Sequence, residues 1–297
     1  MTSGPSWRGP GAPAVDDDTY SRPNPARLYH LLSGGRDSFQ VDRDFAHRLH
    51  EADYTIVSAA YNNRDHTALT AQFFAEIGFQ QVLDLGCGYA YDWSKRLQRH
   101  EPPTVGEVLP GASIVHVDID PIVVGVAQST MSSLSGNPSI LQADIRYMAE
   151  ILAHPQVAPR FDQTRPVAVL LHDILPWIED DQAVTSALAV LRKWLPPGSA
   201  LSITHASPDL AVTPDAKAKL TALRAEEAAV AFRPRTRTAI QTLFGGWPLL
   251  DPGLVPTHRW HPGHPDARAP AAHSGAYAGI ALKPPISIVK DPPLCTS

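Results

Sequence analysis

Cysteine is almost missing from this chain: Cys87 and Cys295 are the only two in 297 residues. Two thiols so far apart form no disulfide framework, and the cytoplasm is the expected compartment. Long apolar runs are missing too. None approaches the ~20 residues that cross a bilayer, so no membrane role is expected. The opening "MTSGPSWRGPGAPAVDDD" lacks the basic-then-apolar layout of a secretion signal. Basic charge is not in excess either: 25 Lys and Arg stand against 30 Asp and Glu, a net −5. A nucleic-acid partner normally needs a concentrated basic face, so none is expected. No internal repeat is visible.

Proline, by contrast, is plentiful: 29 residues, against an average usage near ~5%. Much of it falls near the two ends, so residues 1–20 read as a mobile leader and 284–297 as a mobile tail. Between them, residues 21–78 read as a helical extension and 79–283 as a single α/β domain. A chain of this size buries roughly three quarters of its unfolded surface, enough for a substantial core.

Residues 23–50 are expected as two helical pieces split at Gly34-Gly35, and Ile56–Ile77 as one longer helix stopped by Gly78. Then apolar strands alternate with helices. "VLDL" runs into Gly86-Cys87-Gly88 and the helix "YDWSKRLQRH". "SIVHVDID", "SILQADIR", "VAVLLHD" and "ALSITHAS" follow at similar intervals. Residues 181–195 and 214–243 read as helical, the latter broken near Pro234. "WPLLDPGLV" and "SGAYAGIALK" are expected as two final strands, antiparallel to each other at one edge. The fold class is α/β: a doubly wound, mostly parallel, Rossmann-like sheet of seven strands under an N-terminal helical cap.

In such sheets ligands bind outside the carboxyl ends of the strands. The first turn has two glycines, but Tyr91 stands where a dinucleotide fingerprint needs its third. No Gly-Lys-Ser or Gly-Lys-Thr follows, which removes a P-loop. The turn therefore suits a ligand that brings adenosine without phosphate. Asp118, 34 residues after Asp84, can accept both hydroxyls of a ribose, with Ile119 beside it. The competing use as a helix cap falls to Asp120, because Pro121 then takes the first helical position. Asp144 can accept from an adenine amino group with Ile145 beside the ring, or stand as a solvated strand end.

These residues resemble the class I S-adenosylmethionine-dependent methyltransferases. More narrowly, the chain resembles an actinobacterial methyltransferase-like family once catalogued as a domain of unknown function. Five passages carry the likeness: "NPARLYHLLSGGRDSFQVDRDFA", "NNRDHTALTAQFFAEIGFQQVLDLGCG", "VHVDIDPIVV", "LQADIR", and "FGGWPLLDPGLV" with "RWHP". The resemblance implies S-adenosyl-L-methionine as cofactor. It departs from the family pattern at Tyr89–Trp93, in the added stretch "EPPTVGEVLPGA", and in the polar "LLHDILPWI".

Cofactor contacts are expected from Asp84, Gly86, Cys87, Gly88, Asp118, Ile119, Asp144, Ile145 and His172, with Cys87 read as a small structural residue of the turn. Arg64 is a candidate for the methionine carboxylate or for a surface ion pair. His172, Asp173 and His205 are candidate bases at strand ends, His172 being equally readable as a structural histidine. Tyr89, Tyr91, Trp93 and Trp177 could wall the site or pack in the core. Gly34-Gly35 reads as the close-approach point of a lid that brings Tyr29, Arg36 or Asp37 to the site, or as a plain helix corner. His258, His261, His264 and His273 lie among prolines in no zinc pattern and read as a solvated loop, so no metal is expected.

The function expected is methyl transfer to a small molecule, in specialised metabolism by resemblance, with a homodimer as one expected state. A cyclase or lyase releasing 5′-methylthioadenosine and a cyclic amino acid is the alternative, such as 1-aminocyclopropane-1-carboxylate or azetidine-2-carboxylate. A non-catalytic cofactor-binding protein is a third.

Overall fold

The computed structural model describes residues 7–89, 103–131, 139–210, 213 and 232–285. The helix expected at "YDWSKRLQRH", with Tyr91 and Trp93, all of 214–231 and most of the tail lie outside them.

Seven strands form one sheet: β1 Gln81–Leu85, β2 Ser113–Asp118, β3 Ser139–Gln142, β4 Ala168–His172, β5 Ala200–Ala206, β6 Val255–Pro256 and β7 Ala276–Leu282. Their order is β3-β2-β1-β4-β5-β7-β6. β1 to β5 pair in parallel. β7 runs antiparallel to β5 from Ala200↔Leu282 to Ala206↔Ala276 and antiparallel to β6 on its other side. The expected antiparallel pair is there, but "WPLLDPGLV" contributes only a bridge at Leu249 and then Val255. Strand order reverses at β1, between β2 and β4. That reversal is the switch point at which open α/β sheets bind ligands.

The helices are α1 Asp17–Ser21, α2 Pro25–Leu32, α3 Gln40–Ala52, α4 Ile56–Glu76, α5 Val105–Val108, α6 Pro121–Met131, α7 Met148–Ala153, α8 Asp181–Trp194 and α9 Arg237–Leu243. Local signals place them. Asn24 caps α2, accepting from the Ala26 and Arg27 amides, with Pro25 at the first helical position. Asp180 caps α8 by accepting from the Gln182 amide at 2.8 Å. α2 stops where Gly34 turns at φ 89 and the Gly35 amide returns to the His30 carbonyl at 2.8 Å.

Residues 7–13 correct the reading of the leader. The Gln142 amide donates to Trp7, the Gly9 amide to Gln142, and the Asp144 amide to Pro10. The Gln142 side chain adds a bond to the Pro13 carbonyl at 2.8 Å. Without this segment β3 would end the sheet with an unpaired ladder edge. A proline- and glycine-rich stretch looks unstructured when read locally, yet an extended segment of this kind suits a sheet edge. The stretch 103–112 is packed as well. Val105, Leu109 and Ala112 are buried with Phe74 and Phe79, at the start of β2 and so at the opposite end of the sheet from the glycine turn.

Candidate active site

The two faces of the sheet differ at the strand ends. Facing α7 and α8, Leu85, Val117, Leu171 and Ile203 belong to one apolar core. Facing α4, the core residues Val82, Ile114, Leu170 and Ala200 give way to Asp84, His116, Asp118, His172, Ser202 and Thr204. Side chains alternate across a strand, so these polar residues share one face. Ser202 and Thr204 are fully buried; Asp84, His116 and Asp118 nearly so.

The glycine turn meets this face. The Gly86 amide donates to the Val117 carbonyl at 2.8 Å and the Gly88 amide to Asp118 Oδ2 at 2.8 Å. Gly86 has φ 73, and a Cβ there would lie 2.5 Å from Ile174. Gly88 has φ 55 and a Cβ there would meet none of the described residues within 4 Å. Asp118 Oδ1 accepts from the Asp120 amide at 3.0 Å. Burial pushes the Asp118 carboxyl up to about 6, against these two amides and with Asp120 and Asp84 adding to the rise. Asp120 caps α6 as expected, accepting from the Ile122 amide at 2.7 Å. Cys87 packs beside Val124, Ala127 and Ile140, and burial pushes its thiol well up.

Asp84 pairs with His116 on the neighbouring strand, 2.9 Å from Oδ2 to Nδ1. His116 was missed in the sequence, although the alternation of "SIVHVD" sets it on the Asp118 side and level with Asp84. At the end of β3, Asp144 accepts from the Arg146 amide and guanidinium, at 2.9 and 2.8 Å. Ile145 is not a free ring wall: it sits in the main core. Ile119, 37% exposed, is the apolar side chain left at that edge.

The candidate bases separate. His172 holds Thr67 Oγ1 at 2.7 Å through Nδ1 and Ser202 Oγ at 2.8 Å through Nε2. Thr67 already donates to the Asn63 carbonyl, so the network assigns the ring proton to Nδ1. Burial lowers His172 to about 4. It is a neutral strut between α4 and β5 rather than a poised base. His205 is also removed from the candidates: Nδ1 meets the Ala206 carbonyl at 2.8 Å and Nε2 meets the Arg235 guanidinium at 3.0 Å. Burial lowers it to about 4 as well. Arg235 is held in turn by Asp181 and the Leu175 and Ile178 carbonyls. Asp173 adopts the left-handed region, φ 56, with Oδ1 accepting from the Ala206 amide at 3.0 Å. Aspartate tolerates that conformation better than most residues.

The helical cap reaches the strand ends. The Tyr29 hydroxyl donates to the Ala60 carbonyl at 3.1 Å. Burial raises its pKa well above the usual phenol value, with the Asp173 charge adding and the Asn63 side chain opposing. Tyr29 is therefore a neutral phenol beside Asp173. Arg64 donates to the Ser33 carbonyl at 2.9 Å and so pins the end of α2. Arg36 and Asp37 are exposed. Gly35 closes on the cap itself: a Cβ there would strike the His30 ring. His30 in turn stacks on Tyr89, centroids 4.2 Å apart. Trp177 packs on Phe232. Asn63 Oδ1, His66 Nδ1 and Thr204 Oγ1 are buried here with no hydrogen-bond partner among the described residues.

Sequence reading also missed Arg27 and Asp42. Arg27 is 1% exposed, donates to Asp42 at 2.7 Å and lies 3.4 Å from Asp120. Its signal was a cation next to Leu28 on the buried side of a short helix. The proline-rich histidine loop is not solvated throughout. His258 bonds Ser274 and the Ala269 carbonyl, and His264 bonds the Asn62 carbonyl of α4. Among the described residues no side-chain group has the arrangement to hold a metal.

Residues 13–284 match the family model described as S-adenosyl methyltransferase. No curated protein matches the chain. Among solved structures, a proposed methyltransferase of Thermobifida fusca is 31% identical with a TM-score of 0.78, covering 89% of this chain and 96% of its own. A DUF574-family protein of Streptomyces avermitilis is 27% identical with a TM-score of 0.79, covering 90% and 99%. The family match runs from the segment beside β3 to just past the end of β7, and the chain belongs to the S-adenosyl methyltransferase family, a class I methyltransferase that uses S-adenosylmethionine.

Proposed function

We propose that the methyl acceptor is a small molecule bound under the helical cap, at the polar end of the α4 face. One observation carries this reading: Asn63 Oδ1, His66 Nδ1 and Thr204 Oγ1 are buried there without hydrogen-bond partners among the described residues. Unsatisfied buried polar atoms cost about 1–3 kcal/mol each, so a ligand that bonds them gains that much in return.

When bound, S-adenosylmethionine supplies a methyl group activated on a sulfonium. Asp118 would accept the ribose hydroxyls with the lone pairs that the Gly88 and Asp120 amides leave. Gly86 and Gly88 admit the cofactor backbone, Ile119 and Asp144 border the adenine, and Arg64 stands for the methionine carboxylate. Tyr29, kept as a phenol, orients the acceptor by hydrogen bonding. Asp173 is the remaining candidate to take an acceptor proton, because His172 and His205 have both nitrogens engaged. Most of the catalysis is alignment of acceptor and methyl group.

The test is product identity. The protein is incubated with S-adenosylmethionine alone, and then with panels of small amines, phenols and carboxylic acids. S-adenosylhomocysteine that forms only with an acceptor supports the proposal. 5′-Methylthioadenosine formed without acceptor would overturn methyl transfer in favour of cyclisation.

A further inference from the structure

The cap and the glycine turn are joined by a buried chain of charges. Asp42, fully buried on α3, accepts from the Asn24 amide at 2.9 Å, the Phe39 amide at 2.8 Å and Arg27 Nε at 2.7 Å. Arg27 spends its other nitrogens on the Arg22 carbonyl at 2.8 Å and on Asp120 Oδ2 at 3.4 Å. Its guanidinium lies 4.9 Å from the Phe39 ring centre. Asp120 then donates its amide to Asp118, and Asp118 accepts from Gly88. Asp42, Arg27, Asp120, Asp118 and Gly88 thus run unbroken from α3 to the cofactor turn.

We infer that Arg27 is a positioning residue for cofactor binding: it neutralises Asp120 and thereby keeps Asp118 an ionised acceptor, set for the ribose. The inference rests on the reading of Asp118 as the ribose carboxylate. One cation contacts two buried carboxylates, Asp42 and Asp120, and the Asp120 amide carries the chain on to the third, Asp118. Around Asp118 stand Asp84 from β1 with its partner His116 from β2, Cys87 from the turn and Asp120 ahead of α6, and Arg27 from α2 reaches Asp120. Among the described residues, Arg27 is the guanidinium that contacts Asp120, while His116 is taken by Asp84. A compact buried cluster with its cation removed leaves uncompensated charge, and the carboxyls respond by holding protons more tightly. A protonated Asp118 loses a lone-pair site needed by the ribose or by Gly88. Lysine is a poor substitute, because a point charge on a flexible stem cannot reach Asp42, Asp120 and the Arg22 carbonyl together.

The experiment measures S-adenosylhomocysteine affinity by calorimetry from pH 5.5 to 8.5, with circular dichroism to confirm folding. In the intact protein affinity is expected to fall as pH drops through about 6, where Asp118 takes up its proton. Arg27→Met should move that fall toward neutral pH, weakening binding about twofold at pH 7 and about eightfold at pH 5.5, the consequence of roughly one unit of carboxyl shift. Arg27→Met with Asp120→Asn should recover most of the affinity and return the fall to lower pH, since asparagine still caps α6. Unchanged affinity and pH profile in Arg27→Met, or a double variant no better than the single, overturns the inference. If Arg27→Met does not fold, Asp120→Asn alone decides: its fall should lie at lower pH than in the intact protein, and an unmoved fall is refutation. Asp118→Asn separates the two readings. Normal affinity in that variant removes the ribose assignment itself, whatever Arg27 does.

Discussion

The two faces of the central sheet are made by the same strands and end differently. Toward α8, Leu85, Val117, Leu171 and Ile203 stay apolar to the last ladder positions. Toward α4, Asp84, His116, Asp118, His172, Ser202 and Thr204 take over before the strands stop, and α4 answers with Asn63, His66, Thr67 and Thr70. A strand's side chains alternate, so one backbone can carry a continuous core on one side and a polar site on the other. The apolar face supplies rigidity. The polar face sits where strand order reverses and the cap closes, and most of its buried groups are bonded to one another.

The largest effect should come from the apolar face. Leu171→Ala opens a cavity under β4 and should cost about 3 kcal/mol in urea unfolding, within the range for buried leucines. Cofactor affinity of the folded protein should stay near normal. Lost affinity at full stability would mean that the two faces are not separable.

The next effect is in pH. Asp118 has a folded pKa near 6 against a reference of 3.8. A carboxyl raised on folding contributes stability below the lower value and loses it as pH rises through the upper one. Asp118→Asn removes that dependence. Between pH 4 and pH 7 the variant should therefore gain on the cofactor-free parent by on the order of 2–3 kcal/mol. The lowered histidines work oppositely. His172 and His205, near 4 when folded against 6.5, contribute stability at neutral pH that is lost as pH falls through about 4. A parallel pair of pH–stability curves for Asp118→Asn and its parent would contradict the carboxyl's burial.

His172→Gln tests the polar face as scaffold. Losing two side-chain bonds should cost about 1–2 kcal/mol, with methyl transfer kept within roughly tenfold, the range in which proton-transfer losses do not yet appear. A thousandfold loss of turnover with normal cofactor affinity would restore His172 as a base. The smallest effect belongs to the exposed lip of the cap: Arg36→Ala should change stability by less than about 0.5 kcal/mol. A larger change, read by thermal melting, would assign Arg36 a contact inside the site.

What could be read locally was read. The Asp-x-Gly-x-Gly turn, the Asp120 cap before Pro121, the stop at Gly34 and the strand–helix alternation each depend on a few neighbouring residues. What escaped depends on residues far apart in the chain. Arg27 meets Asp120 across 93 positions, Arg235 meets His205 across 30, and Trp7 to Pro13 find β3 some 130 residues on. Asp173 looked like one more acidic strand end; only the register with β5 shows why it takes φ 56. The histidine loop failed for the same reason, because its partners are Ser274 and a carbonyl of α4.

The sequence by itself determined the architecture and the kind of ligand. Short apolar strands alternating with helices, capping residues and two turn glycines without a lysine are local chemistry. Tertiary structure alone decided which polar residues remain available to that ligand. Two candidate histidines became neutral struts and a cap arginine became a neighbour of Asp120, because burial and partner geometry, rather than residue type, decide where a proton or a charge rests.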